Sequence, residues 1–478
     1  MRRRLSCLLA LALTASAAPA LSLAAAAAGP LPPEVLRATK LAAEATRRLK
    51  ESGSGLWGRP VTAPWLFVRG DQVYATEDTH TGSLSPVPAR SLPEGLKLWT
   101  GPLPPGLSPS NTAVVYEQVR WAMVMLPLPT SDPEALKLLI HEAFHVWQKI
   151  VLKLEPYNET GPGSDLLDRP EGRIWLRLEM LALQDALSVP TADDARLSRA
   201  LLFRARRLQA ATPEERDRER LLELAEGCAE HTGWTVSGGT RADLIRALEE
   251  APKNPTLVRS FPYATGPAYG ELLQQRDEKW RFTAAETHDL PRQLAATLEP
   301  LSAAWAQAAL EGSASKEAVD ARAQREGAAF KLDAVRKEEE RRWATREKQI
   351  AELRSRFVDG PTLRIRPSDL RVSFDYRASV PLGDAGTVLA NVFWRTDAGA
   401  DLAAPGGALV SPDWKELRVP LDKGVRIAAG TLSAKAQWKS KGWTLTLPAG
   451  WVLAANGSSM VASPPPSAPA PAPTPARP

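Results

Sequence analysis

Cysteine is nearly absent from this 478-residue chain: Cys7 falls in a segment marked for removal, which leaves Cys228 alone. One thiol cannot form an intramolecular disulfide, so the fold stands without covalent staples. No apolar run reaches the ~20 residues that a membrane-spanning helix needs, which excludes a multi-span membrane protein. Neither sign of charge dominates. The formal charge of +5 falls to +2 when Arg2, Arg3 and Arg4 leave with the N-terminal segment, so nothing favours a nucleic-acid partner. Histidine, with five residues, and tyrosine, with six, are scarce, and no internal repeat appears. Hydrophobic residues at 44% and charged residues at 24% are instead the balance of a globular protein with a real core. The length indicates two or three domains.

Residues 1–28 read as a signal peptide: Arg2–Arg4, the apolar run Leu5–Leu13, then small residues including Ala15-Ser16-Ala17 and Ala24-Ala25-Ala26. The expectation is export to the periplasm or medium, with a retained N-terminal anchor as the alternative. Residues 29–60 then carry a short amphipathic helix and a linker. Short β-rich runs separated by turn residues follow at Trp65–Val68, Gln72–Ala75, Ala113–Tyr116 and Trp121–Leu126. Helical patterns take over from Asp132-Pro133, a cap and first-turn pair, and continue in Arg173–Leu187, in Asp193–Leu208 and from Thr212. There Thr212-Pro213-Glu214-Glu215 forms a capping box, with Gly233 read as the stop.

This predicts an α+β protein with a mainly helical domain over residues 61–310 that includes a small N-terminal sheet. A charged helix at 311–358 follows, lying across a domain rather than forming a coiled coil, since its apolar points are irregularly spaced. Asp359-Gly360-Pro361 ends it. Residues 361–462 read as a separate all-β domain and 463–478 as an extended Pro/Ala tail.

One string carries chemistry: His141-Glu142-Ala143-Phe144-His145, in the middle of the helix that opens at Pro133. Residues four apart share a helix face, so both imidazoles can converge on one ion while Glu142 projects beside them. Zinc suits this pair because it takes nitrogen ligands tetrahedrally and keeps a position for water. A third histidine six residues on is ruled out, because position 151 is Val and Gln148 stands where that class needs glycine. A downstream carboxylate remains. The choices are Glu226 and Glu223, in the stretch Glu223–Gly233, and Glu179, a lone carboxylate amid apolar residues that would either ligate the ion or hold an imidazole. Glu219, Glu223, Glu226 and Glu230 share a helix face, so solvated charge is the plain reading of any one of them. Cys228 lies about 200° around the helix from Glu226 and reads as core. His80 and His288 have no supporting motif.

With His141-Glu142-Ala143-Phe144-His145 and Glu226-Gly227-Cys228 together, the region 113–275 resembles a gluzincin-type zinc metallopeptidase. It is also similar to exported bacterial proteins that share this motif pair and a C-terminal β domain. The resemblance implies a zincin-like core, zinc held by His141, His145 and Glu226, and Glu142 as general base toward a zinc-activated water. It implies a peptide or protein substrate. His231 stands where related peptidases often carry an oxyanion-binding tyrosine, and Tyr263 and Tyr269, near Gly266 and Gly270, are the other hydroxyl candidates. Gly227 would let the ligand helix approach the histidine helix. The strand Trp121–Leu126 would bind extended substrate at a sheet edge. The alternative function is an exported zinc-containing binding protein without catalysis. The C-terminal domain is a candidate for contact with the cell envelope.

Overall fold

The computed structural model describes residues 31–78, 82–104, 106–154, 165–368, 370, 372–396 and 398–465. Residues 1–28 (the expected signal peptide), His80 and nearly all of the Pro/Ala tail lie outside the described residues. No helix among those described is long and apolar enough to cross a membrane.

The protein has an α+β fold. Helix α1 (Pro33–Trp57) leads into strands β1 (Trp65–Arg69), β2 (Gln72–Ala75), β3 (Ser85–Pro86), β4 (Trp99–Pro102), β5 (Thr112–Tyr116) and β6 (Val119–Met125). They form one sheet in the order β3-β4-β2-β1-β6-β5, with β1 and β6 parallel and the other pairs antiparallel. Alternation assigns its faces. Trp65, Phe67, Ala122 and Val124 enter the main core, and Leu66, Val68, Trp121 and Met123 a smaller one on the opposite side. The rim strand is β5; β6, expected at the edge, lies between β1 and β5.

The helical layer comprises α2 (Asp132–Val151), α3 (Pro170–Leu187), α4 (Asp194–Leu208), α5 (Pro213–Ser237) and α6 (Arg241–Glu250), followed by α7 (Pro262–Arg276), α8 (Trp280–Thr287), α9 (Leu290–Ala295) and α10 (Pro300–Glu311). Ser131 rather than Asp132 is the N-cap of α2; Asp132 takes Arg37 of α1 at 2.7 Å. The Thr212–Glu215 capping box forms as expected. Helix α5 does not stop at Gly233; it runs on to Ser237 and closes on Gly238, whose φ of 88° is left-handed. Apolar residues of α1, from Val35 to Trp57, join the same core, so α1 belongs to the helical domain rather than to a linker.

The charged stretch is two helices, α11 (Lys316–Ala329) and α12 (Leu332–Arg354), broken at Lys331, whose φ is 57°. Helix α12 lies across α3. Glu339, buried, receives Arg173 at 2.8 Å and Arg177 at 2.9 Å, and Arg346 donates to Asp168 at 2.7 Å.

The C-terminal strands are β7 (Thr362–Ile365), β8 (Val372–Pro381), β9 (Thr387–Arg395), β10 (Asp401–Ala404), β11 (Ala408–Val410) and β12 (Leu417–Pro420). After them come β13 (Gly430–Thr431), β14 (Ala436–Lys439), β15 (Thr444–Leu447), β16 (Val452–Asn456) and β17 (Ser459–Ser463). They make one large sheet running β13-β16-β17-β7-β12-β11-β9-β10-β15-β14, with β8 paired to β9. Its core, centred on Trp394, Leu402, Trp443 and Trp451, shares no residue with the helical one.

Candidate metal centre

Helices α2 and α5 run antiparallel and cross closely. A Cβ on Gly233 would lie 2.7 Å from the Lys137 carbonyl and 3.5 Å from His141 Cβ. The glycine read as a stop is therefore what admits α2, one turn before the first histidine. Gly227, expected to serve that contact, packs elsewhere: its Cβ would lie 2.7 Å from Gly266 Cα on α7. That glycine pair draws α7 onto α5 and places Tyr263, one turn before Gly266, over the histidines.

Three donor atoms meet between α2 and α5. His141 Nε2 and His145 Nε2 are 2.9 Å apart, and Glu226 Oε2 lies 3.4 Å and 3.5 Å from them. Among the described residues this is the one group of His, Cys, Asp and Glu side chains placed to hold a metal ion together. Tetrahedral ligands 2.0–2.1 Å from zinc stand about 3.3 Å from each other, so the triangle fits that ion. The donor set of two imidazoles and one carboxylate also leaves a fourth position uncommitted.

Second contacts hold each donor. His141 Nδ1 lies 2.9 Å from Glu230 Oε2, and Glu230 in turn pairs with Lys137. His145 Nδ1 lies 2.7 Å from the amide oxygen of the fully buried Gln148. A carbonyl or carboxylate oxygen at Nδ1 makes that nitrogen a donor and turns Nε2 toward Glu226, where a metal would take the place of the Nε2 proton. Tyr263 donates from Oη to Glu226 Oε2 at 2.7 Å, and its ring stacks on His141 with centroids 5.6 Å apart. Glu142 is buried between the two histidines in sequence, with 4% of its surface exposed.

The electrostatics favour bound positive charge. Burial alone would lower the His141 pKa, yet hydrogen bonds to Glu226 and Glu230 outweigh it and raise the group to about 9. Burial pushes Glu226 upward, but the charge of His145 and the hydrogen bonds from both imidazoles hold it well below the usual carboxylate range. Against the same burial, His141 and Lys137 bring Glu230 down to about 2.

Other expected residues lie elsewhere. Glu179 is fully buried in an ionic network, accepting from Arg204 at 3.0 Å, Arg207 at 3.2 Å and Tyr269 Oη at 2.8 Å. Glu223 joins that network through Arg204 at 2.9 Å and through Thr265, and Glu219 through Arg207. None of these is a solvated charge; each neutralises a buried guanidinium. Tyr269 belongs to this network and not to the metal centre.

His231 also points away, since five residues turn a helix side chain about 140° from Glu226. Its ring lies against Gly270 and Trp280 with Arg281 Nη2 3.3 Å from Nδ1; burial and that cation hold it well below its usual pKa, as a neutral group. Cys228 is buried core, its thiol pushed up to about 12 by burial. His288 caps α8 and lies 2.8 Å from the Leu152 carbonyl.

Glu230, Gln148 and Lys137 belong to no sequence motif of their own. Helical spacing carried the signal: Glu230 follows Glu226 by four residues, Gln148 follows His145 by three, and Lys137 precedes His141 by four.

The chain matches no protein-family model, and no curated protein and no solved structure is detectably similar to it.

Proposed function

We propose that this chain is an exported zinc-dependent hydrolase of peptide bonds. The carrying observation is the convergence of His141 Nε2, His145 Nε2 and Glu226 Oε2, with Glu142 on the same helix as both imidazoles. Zinc bound there would supply Lewis acidity toward a carbonyl and a water. The rest falls to the chain. Glu142 accepts the proton of the attacking water and returns it to the departing amine. Glu230 and Gln148 orient the imidazoles, and Tyr263 holds Glu226 with its one O–H, a proton it would turn from Glu226 to give to the developing oxyanion. An extended substrate has β5 to pair with, since β6 is flanked on both sides. Export is supported by Arg2–Arg4 and the apolar run Leu5–Leu13.

Two measurements test the reading: zinc per chain, then hydrolysis of an unfolded protein by the wild type and by Glu142→Gln. The variant should keep zinc and lose turnover, because an amide keeps the shape but cannot take the proton. Equal hydrolysis by both removes Glu142 as the base. Zinc without hydrolysis in either leaves the non-catalytic binding protein as the reading.

A further inference from the structure

From Lys423 to the C-terminus the sequence contains no Asp or Glu, yet it carries Lys423, Arg426, Lys435, Lys439, Lys441 and Arg477. The first five are exposed, and none forms an ion pair among the described residues. This contrasts with the helical domain, where buried and half-buried arginines are matched one after another.

Three of these cations cluster at one strand: Lys439 on β14, Lys435 just before it and Lys441 in the turn to β15. β14 ends the sheet and pairs only with β15, so its other edge is open. Alternate residues of an extended chain share a face. Lys435, Gln437, Lys439 and Lys441 are the exposed set, and Ala436, Trp438 and Ser440 the half-buried one. Lys435 and Lys439 thus stand about 13 Å apart at ~3.3 Å per residue, with Lys441 beyond them in the turn. Ser440 donates to Asp422, which pins the turn carrying Lys423 and Arg426 against the same strand. Asp422 is an acid at the patch margin, and Asp401, in register with Gln437 across β15, is already paired with Arg395.

We propose that this edge of the C-terminal domain docks on an anionic phospholipid bilayer, independently of the metal centre. A protein partner presents its complementary potential as a shaped patch that fixes register. A stripe of one sign without counter-charge instead matches a surface that is itself of one sign, as acidic headgroups present. Val425, Ile427 and Trp438 are half-buried beside the lysines and pack on the domain core, so the contact is peripheral and governed by charge.

Co-sedimentation of the full chain with vesicles decides the matter. Binding should occur with phosphatidylcholine–phosphatidylglycerol vesicles, fail with phosphatidylcholine alone, and disappear as salt shortens the screening length to about 3 Å near 1 M. Replacing Lys435, Lys439 and Lys441 together by Gln should weaken it roughly tenfold or more. The same triple change at the exposed Lys40, Lys50 and Lys97 alters net charge equally and should weaken it far less. Equal loss in both triples, or no loss in the β14 triple, overturns the proposal. So does failure to bind acidic vesicles while a polyglutamate peptide binds, which would make the partner an acidic protein.

Discussion

Four glutamates on one face of α5 look interchangeable, and their environments make them unlike. Glu226 completes the triangle proposed to hold zinc, so Glu226→Ala should abolish tight zinc binding in a titration of the metal-free protein. Glu230 touches His141 Nδ1, and Glu230→Ala should weaken zinc by about 10–100-fold without abolishing it. Glu223→Ala, like Glu179→Ala on α3, should do something different. Either leaves Arg204 buried with too few carboxylates, and breaking such a pair costs about 3–5 kcal/mol of fold stability. Their zinc affinity, measured well below the lowered melting temperature, should stay near wild type. A loss of metal with Glu179→Ala and its retention with Glu226→Ala would move the third donor to α3. Cys228 gives a check on burial itself: with its thiol raised to about 12, it should resist alkylation at pH 8 until denaturant unfolds the chain. The histidine pair was legible because spacing alone puts both rings on one face. The partition among the glutamates was not, because it depends on which helix each carboxylate meets.

At the scale of elements, caps and alternation were legible: Thr212–Glu215, strands β1, β2, β5 and β6 and the opening of α2 stand close to where local chemistry puts them, whereas the short β3 and β4 carry no alternation to announce them. Glycine was the ambiguous letter. A residue without Cβ serves a left-handed cap and a close helix crossing equally well, and Gly233 was read as the first while acting as the second. The crossings yield a paired test. Gly227→Ala puts a methyl 2.7 Å from Gly266 Cα, where only backbone can give way, so α7 must shift and carry Tyr263 with it. Unfolding measurements should show a loss of at least 1–3 kcal/mol, about the usual cost of overpacking, with weaker zinc binding alongside. Gly55, exposed on α1, has nothing within 4 Å of its would-be Cβ. Gly55→Ala should stabilise the chain by about 0.5–1 kcal/mol and leave zinc untouched.

For the whole molecule, the sequence places a boundary at Asp359-Gly360-Pro361, where helix chemistry stops. Packing places it earlier, inside α12. Leu332 and Val335 belong to the helical core, whereas Ile350, Leu353 and Phe357 pack with Val380, Leu382, Val388 and Leu409 of the β domain. Between them, Glu339, Arg342 and Arg346 tie the helix to Arg173, Arg177 and Asp168. A helix's periodicity does not reveal that its two ends serve different cores, which is why composition alone set the junction too late. The consequence is measurable in two shortened chains. One ending after Gln349 keeps every buried ion pair of α12 with the helical domain, and should be monomeric by size exclusion and bind zinc as the full chain does. One ending after Asp359 retains Ile350, Leu353 and Phe357 with nothing to cover them, and Phe357 alone gives up about 1.5–3 kcal/mol of burial. That longer chain should self-associate and still bind zinc when monomeric. If the shorter chain instead aggregates and loses metal, the β domain completes the helical core, and the division within α12 is wrong.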